Sequence, residues 1–582
     1  FRWRGDMIWD NYLGPKRFCA SLWGDDEWEQ ALLYMARHRM NFLEFYPPLE
    51  RVFARAFPEI ADDFEEGTVW KSEAKHALAK RVVARGRALG IHFMYVLSYG
   101  AFPEPVRALF PDLEWRNGFL CAHQPELMEL TEKVWRVLIE ELGTDHWYAV
   151  RHRGEEEQVY SDPCRSVTKS EGFQQAFVIL GKVDPRAAIT VWTWGERIPD
   201  LFQGFPSNVR AAHIRHGMAD VFGDRGAGRE QSDGRPGLVE DTLWLSGQFT
   251  VFGGNETGLQ TAWCDAKALT RDATASSQSS AEGYFQWPEW SNTSAWLAHV
   301  VAKLAWRPKE PSVAHYAERR HGERAGTFLA AFGPLVRDGN AKFMHPPRKR
   351  LLVPYFNAPE SLELLESVRA GARAMLEVLE GAPSMFRRDF LDIVAWVGLR
   401  QAQVLECDAY LRHVEGEDVS FDHAETTWRT LAAAMASSPD LSIVASTRDL
   451  ARMGPISSRL EDSIWNLACD FYNGYPLVLS PEAIELVYLP QLEALRKATA
   501  AGGPVVLEAP GWFWHDFPDL AWADCVRKLP GEDAAAFERE MRARLGADPP
   551  TMREAPELET FLTLPLPEPR SDPPTLPRTP VR

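Results

Sequence analysis

The 582-residue chain has room for roughly two to four domains. Its 45% hydrophobic and 25% charged residues exclude a disordered, collagen-like or coiled-coil protein. The net charge of -18, from 64 Lys+Arg against 82 Asp+Glu, repels phosphate backbones and argues against a nucleic-acid partner.

The first half alternates strand-like and helix-like stretches. Phe1–Trp9 reads as a strand, Asp25–His38 as an acid-started amphipathic helix, and Met40–Phe45 as a strand. The helix Lys75–Leu89 precedes the apolar strand Ile91–Leu97, and the helix Gln124–Leu142 precedes the strand His146–Val150. The helix Ser170–Leu180 and the strand Ala188–Trp194 follow. Weaker strands lie at Val209–Ile214 and Gln248–Phe252, with a helix from Thr257. A last strand at Gly283–Gln286 leads to the helix Asn292–Trp306. Such alternation predicts a parallel sheet, and about eight units close a (β/α)8 TIM-type barrel over residues 1–308. An open doubly wound sheet is the alternative, without its usual GxGxxG or GxxxxGK[ST] signature.

Beyond Pro308 helical spacing takes over: Ser361–Leu379, Met385–Val414, His423–Met435, Asp440–Met453, Ser458–Phe471 and Pro481–Thr499. An all-helical domain is expected over 309–547, and a Pro-rich extended tail over 548–582.

The seven cysteines are scattered, with no CxxC pair. This argues against a disulfide framework or a zinc finger and leaves room for one isolated bridge. No apolar run is long enough to span a membrane. The chain opens on Phe1, inside a strand-like stretch, which reads as an incomplete N-terminus and leaves export open.

In a barrel the chemistry sits just past the C-terminal ends of the strands. One charged stretch there is Arg151-His152-Arg153-Gly154-Glu155-Glu156-Glu157; its bland reading is a solvated charge run. The other is Tyr284-Phe285-Gln286-Trp287-Pro288-Glu289-Trp290, where one acid is bracketed by aromatics; its bland reading is a helix-capping acid. Two carboxylates across a barrel mouth suit glycoside hydrolysis, which needs no metal or cofactor. The 22 tryptophans fit sugar platforms, with Trp115, Trp192, Trp194, Trp287 and Trp290 in or near the loops, although each alone is more often packing. There is no HExxH and no GxSxG. Gly253-Gly254-Asn255 is a tight turn at a strand end, facing either solvent or substrate.

Several collinear segments together resemble the family 89 glycoside hydrolases, the α-N-acetylglucosaminidases. They are WGDDEWEQALLYMARHRMNFLEF at Trp23–Phe45, YGAFPEPVRALFPD at Tyr99–Asp112 and ELGTDHWY at Glu141–Tyr148. FGGNETGL at Phe252–Leu259, Trp287-Pro288-Glu289 with Leu304-Ala305-Trp306, and FRRDFLDIV at Phe386–Val394 continue the set. The resemblance implies an exo-acting, retaining hydrolase of a terminal α-linked sugar in polysaccharide degradation. Its substrate would be an oligosaccharide or glycoconjugate. Carried over by position, Glu155 falls at the acid/base and Glu289 at the nucleophile. Asp6, Trp194 and Trp465 fall near family sugar-contacting positions and Arg151 falls in the loop that would touch the sugar, while Trp287 as a platform and Asn255 in its turn complete the candidate substrate-binding residues. The resemblance also implies a small domain ahead of the barrel.

Two departures stand out. Where the family reads Asp-Thr-Phe-Asn-Glu, this chain has Arg151-His152-Arg153-Gly154-Glu155, and Trp290 replaces a family glycine. Guanidinium forks suit carboxylates and sulfates, so an anionic sugar is one alternative. A non-catalytic carbohydrate-binding barrel is the other.

Overall fold

The computed structural model describes residues 2–8, 20, 23–63, 73–116, 119–151, 169–191, 210–216, 243–249, 266–278, 281–287, 295–342, 359–453, 479–500, 539, 543 and 558–569. The strands are β1 Trp3–Ile8, β2 Phe42–Phe45, β3 His92–Ser98, the short antiparallel pair β4 Trp115–Arg116 and β5 Phe119–Leu120, β6 Trp147–Arg151, β7 Ala188–Val191, β8 Arg210–His216, β9 Leu243–Phe249 and β10 Ala281–Trp287. All except β4 and β5 are parallel and form one curled sheet in the order β1-β10-β9-β8-β7-β6-β3-β2. Pairing of β2 with β1 returns the sheet to its start, so it closes on itself and the open-sheet alternative falls.

The helices of this half are α1 Asp25–Arg37, α2 Glu50–Ala56, α3 Glu73–Ala88, α4 Glu104–Leu109, α5 Glu126–Leu142, α6 Lys169–Val183, α7 Ala266–Gln278 and α8 Ala295–Trp306. The connections between β7 and β8 and between β8 and β9 lie largely outside the described residues. In α1, Asp25, Asp26 and Glu27 face the positive end of the helix dipole, and Glu27 Oε2 accepts from the Gly24 N–H at 2.8 Å. Its buried residues Trp28, Leu32 and Met35 follow helical spacing and cover Phe45 of β2 and Phe93 of β3. Helix α5 ends at Gly143, whose φ of 67° lies in the left-handed region. Arg87 then reaches the Leu142 carbonyl at 2.8 Å and Asp145 at 3.0 Å, while Asp145 accepts from the Phe93 N–H at 3.0 Å. This binds α3, β3 and the entry to β6 together.

Among the described residues beyond this half the elements are helical: α9 Val313–His321, α10 Ala325–Lys342, α11 Pro359–Glu377, α12 Ser384–Val414, α13 Asp422–Ala436, α14 Ile443–Met453, α15 Leu489–Ala500 and α16 Leu558–Thr563. One hydrophobic core runs from Leu269, Tyr284, Trp296 and Val300 of the barrel side through Phe328, Leu365, Phe390 and Trp396 to Phe561. Within it, Arg320 of α9 donates a two-point hydrogen bond to Asp389 of α12 at 2.5 and 2.7 Å, and His321 adds a contact at 2.9 Å. Burial alone would raise the Asp389 pKa, but these bonds outweigh it and hold it below the usual carboxylate value. Over 558–563 an extended tail was expected; the chain forms a short helix instead, with Leu558, Phe561 and Leu562 in the core. Buried Arg369 donates to the carbonyls of Leu562 and Leu564 at 2.8 and 2.6 Å.

The boundaries mostly follow the apolar periodicity. The exceptions are instructive. β9 starts at Leu243, ahead of the expected Gln248, because Leu243-Trp244-Leu245 alternates only briefly before Ser246 and Gly247 interrupt it. Helices α9 and α10 carry Arg-rich and Gly/Pro-interrupted sequences that blur the period; Pro334 sits inside α10. The expected helix Ser458–Phe471 lies outside the described residues, as does the start of the helix expected from Thr257, which is described from Ala266.

Two predictions follow from packing and burial. A Cβ at Gly371 of α11 would stand 2.4 Å from backbone atoms of Ala331 in α10, where neither helix has room. Gly371→Ala should cost about 1–3 kcal/mol in urea unfolding, and an unchanged midpoint counts against so close a contact. His299 of α8 stacks on Trp296 at 5.8 Å and is pushed down from 6.5 to about 3, first by burial and then by Lys303 and His38. His76 is pushed to about 4, also first by burial. Both rings stay neutral in the fold while the unfolded chain takes up protons, so stability present above pH ~6.5 is lost as pH falls toward ~4. His299→Phe should flatten that acid slope, leaving a remainder from His76; a slope identical to wild type would refute the assignment.

Candidate active site

The barrel interior follows from the strand pleat. Trp3 of β1, Phe42 of β2, His92 of β3 and Trp147 of β6 meet as rings, with Trp3–Trp147 and Phe42–Trp147 centroids both 5.1 Å apart. Strands β2 and β6 are not neighbours, so these rings can meet only inside the barrel. They plug its N-terminal end. Leu43 and Phe45, one residue out of phase, pack outward under the helices. Glu44 therefore shares the lumen-facing phase of Phe42, and it is 0% exposed. On β7, Thr190 pairs with Ala149, which is in phase with Trp147, while Ile189 packs outward. Thr190 is also fully buried, and its Oγ1 makes no hydrogen bond among the described residues. Above the aromatic plug the lumen phase carries Glu44 and Thr190 beside the apolar Met94 and Ala149.

The C-terminal strand ends define the mouth. Arg151 ends β6 in the pleat phase of Trp147 and Ala149, paired with Ser98. Trp287 ends β10, paired with Phe249. In the eight-strand ring β6 and β10 stand diametrically opposite. Glu155 and Glu289 follow these two ends within a few residues. Glu155, Glu289, Trp192, Trp194, Asn255, Trp290 and Trp465 themselves lie outside the described residues, as do His152 and Arg153.

Asp6 is placed differently from its expectation. It pairs with Leu43, in the phase that faces the helices. Its charge contributes to raising the Tyr34 phenol of α1, an effect due first to burial and next to Tyr316 of α9. A residue on the outer face of β1 cannot reach a sugar in the lumen. Trp115 takes the bland role as well: its Nε1 donates to the Phe110 carbonyl at 2.9 Å, and its ring meets Phe102 edge-on. Glu44 and Thr190 were missed by sequence reasoning, although a lone acid inside the apolar stretch MNFLEF was a usable signal.

One group among the described residues has metal-ligand types in proximity: Glu114, Cys121 and His123, within 4.8 Å. Cys121 is disulfide-bonded, so it offers no thiolate, and the cluster does not fit a metal.

No family model matches the chain, and no curated protein matches it in sequence. Solved structures do match in shape. A family 89 glycoside hydrolase from Clostridium perfringens, in complex with its substrate GlcNAc-α-1,4-galactose, superposes with a TM-score of 0.64 at 14% identity, over 93% of this chain and 69% of that one. The fold is family 89-like. The same Clostridium perfringens enzyme with 2-acetamido-1,2-dideoxynojirmycin gives a TM-score of 0.64 at 14% identity, over 94% and 69% of the two chains. Its complex with PUGNAc gives 0.64 at 13%, again over 94% and 69%. In this family 89-like fold the closed sheet and the helices beyond it are arranged as one continuous body sharing a core.

Valine matches threonine in shape and lacks the unmatched hydroxyl. Thr190→Val should keep or raise the melting temperature. A loss above ~1 kcal/mol would show that Oγ1 has a hydrogen-bond partner after all.

Proposed function

We propose that the protein is a retaining, exo-acting glycoside hydrolase on a full (β/α)8 barrel, cleaving a terminal α-linked sugar at the barrel mouth. The observation that carries this reading is the position of β6 and β10. The two strands that precede Glu155 and Glu289 in sequence end opposite each other in the ring. The family 89-like fold and the N-acetylglucosamine-type ligands of its structural neighbours support the same reading. Residues 1–308 would form the catalytic barrel, 309–547 a helical domain completing the cleft, and 548–582 a tail anchored at its short helix.

In this mechanism the Glu289 carboxylate attacks the anomeric carbon while Glu155 gives its proton to the departing oxygen. A covalent glycosyl-enzyme forms. Glu155, now a base, takes a proton from water, which attacks the anomeric carbon and releases Glu289. Arg151, Trp194, Asn255, Trp287 and Trp465 would contact the sugar; Asp6 is left out on account of its outward face. The substitution of Arg151 and Arg153 into the acid/base loop favours a second reading, the same chemistry on an anionic sugar.

The roles separate kinetically. Glu155→Gln should cripple substrates with poor leaving groups most, spare activated aryl glycosides, and be partly rescued by azide. Glu289→Ala should lose turnover on every substrate. Mild and equal losses in both variants would remove both residues from catalysis. The two carboxyls should lie ~5–5.5 Å apart in a crystal structure, as retention requires.

A further inference from the structure

The hairpin of β4 and β5 stands in the segment that follows β3, and the mechanism above gives it no role. Leu120 donates its N–H to the Gly100 carbonyl at 2.9 Å, which docks the hairpin just past the C-terminal end of β3. Its register pairs Trp115 with Leu120, so Glu114 and Cys121 come next along the two strands and stand opposite each other. The Cys121 N–H donates to the Glu114 carbonyl at 3.1 Å. Gln124 clamps this end: its side chain accepts from the Glu114 N–H and donates to the Glu114 carbonyl, both at 3.0 Å. His123 follows two residues after Cys121 and brings its Nε2 to 3.4 Å from Glu114 Oε2. The sulfur, the imidazole nitrogen and the carboxylate oxygen all lie within 4.8 Å of one another.

We propose that Glu114, Cys121 and His123 form a redox-gated binding site for zinc, closed while Cys121 is held in its disulfide and opened by a dithiol reductant. The proposal goes beyond the hydrolase reading and does not rest on it. With Cys121 in its disulfide the group offers no thiolate, and reduction supplies it. Thiolate, imidazole and carboxylate then make a donor set that suits zinc. Two N/O ligands about 2.0–2.1 Å from a tetrahedral zinc ion stand about 3.4 Å apart. His123 and Glu114 already keep that separation, which is longer than an ordinary N–H···O hydrogen bond. The sulfur has further to come, from within 4.8 Å to about 3.5 Å, and a turn about its Cα–Cβ bond covers this once the S–S bond no longer holds it. The side chains of His123 and Glu114 are 37% and 31% exposed and Cys121 is 1% exposed, so the ion enters from the solvent side and keeps water as its fourth ligand. In the opening step the dithiol gives two electrons and two protons to the disulfide and leaves as its own cyclic disulfide, and Cys121 and the cysteine bonded to it become thiols. The cation displaces the Cys121 thiol proton to solvent and binds the thiolate. Because the metal binds only the reduced form, it pulls the thiol–disulfide equilibrium toward reduction.

The test uses the full chain in two forms: oxidised, and reduced by a dithiol that is then removed with oxygen excluded. Each form is titrated with Co2+, whose thiolate complex has its own near-ultraviolet charge-transfer band, and then with Zn2+. The reduced protein should bind Co2+ with that band, about tenfold or more tightly than the oxidised protein, and Zn2+ should abolish the band. Cys121→Ser should remove the band. His123→Ala should weaken binding by the reduced protein about tenfold or more, a loss that even an outer partner of a metal ligand produces. Equal affinity in the two redox states, or a band undiminished in Cys121→Ser, overturns the proposal. If Cys121→Ser fails to fold, the solvent-facing His123→Ala decides: an unchanged Co2+ affinity in its reduced form overturns the site, and the tenfold loss supports it.

Discussion

Trp3, Arg4 and Gly5 pair with Gly283, Tyr284 and Phe285, and on the other side Gly5 to Ile8 pair with Phe42 to Phe45. This joins the two ends of a sheet whose strands are almost three hundred residues apart in sequence. Closure fixes the pleat phase of every strand at once, because a one-residue slip would exchange lumen and helix faces all round. The aromatic plug, the buried Glu44 and the opposition of β6 and β10 all follow from that single register. So does the outward face of Asp6. Closure costs loop entropy, and the large rings in the lumen together with the apolar cover of helices repay it.

The helical half is tied to the same closure. Tyr284 of the closing strand and Trp296 of the next helix belong to the core that continues into α10, α11 and α12. The Arg320–Asp389–His321 cluster lies within this half, its charge matched at close range by a two-point guanidinium contact. Such buried pairs are costly to break and add little when intact, so their effect is on which arrangement of α9 and α12 is allowed.

Much of the fold was legible in the sequence. Amphipathic helices such as α1 and α5 and the apolar strand β3 show one periodicity over many residues, and their limits agree with the structure to within a few positions. Short strands interrupted by small residues, such as β9, and helices broken by Pro or covered in arginine, such as α9 and α10, gave no sustained period. The site was legible only as a list of residue types. Which face of a strand a residue occupies depends on long-range register. That is why Asp6 read as a pocket residue although its register gives it the phase that faces the helices.

The buried Arg369 offers a last consequence. Its guanidinium holds the carbonyls that end α16, and Gln401 holds the Phe561 carbonyl at 3.2 Å, while Leu558, Phe561 and Leu562 sit among core side chains. None of these contacts depends on the covalent link to the residues before α16. A chain nicked ahead of Leu558 would therefore keep its last segment as a non-covalent subunit, and would run as one particle in solution and as two polypeptides once denatured.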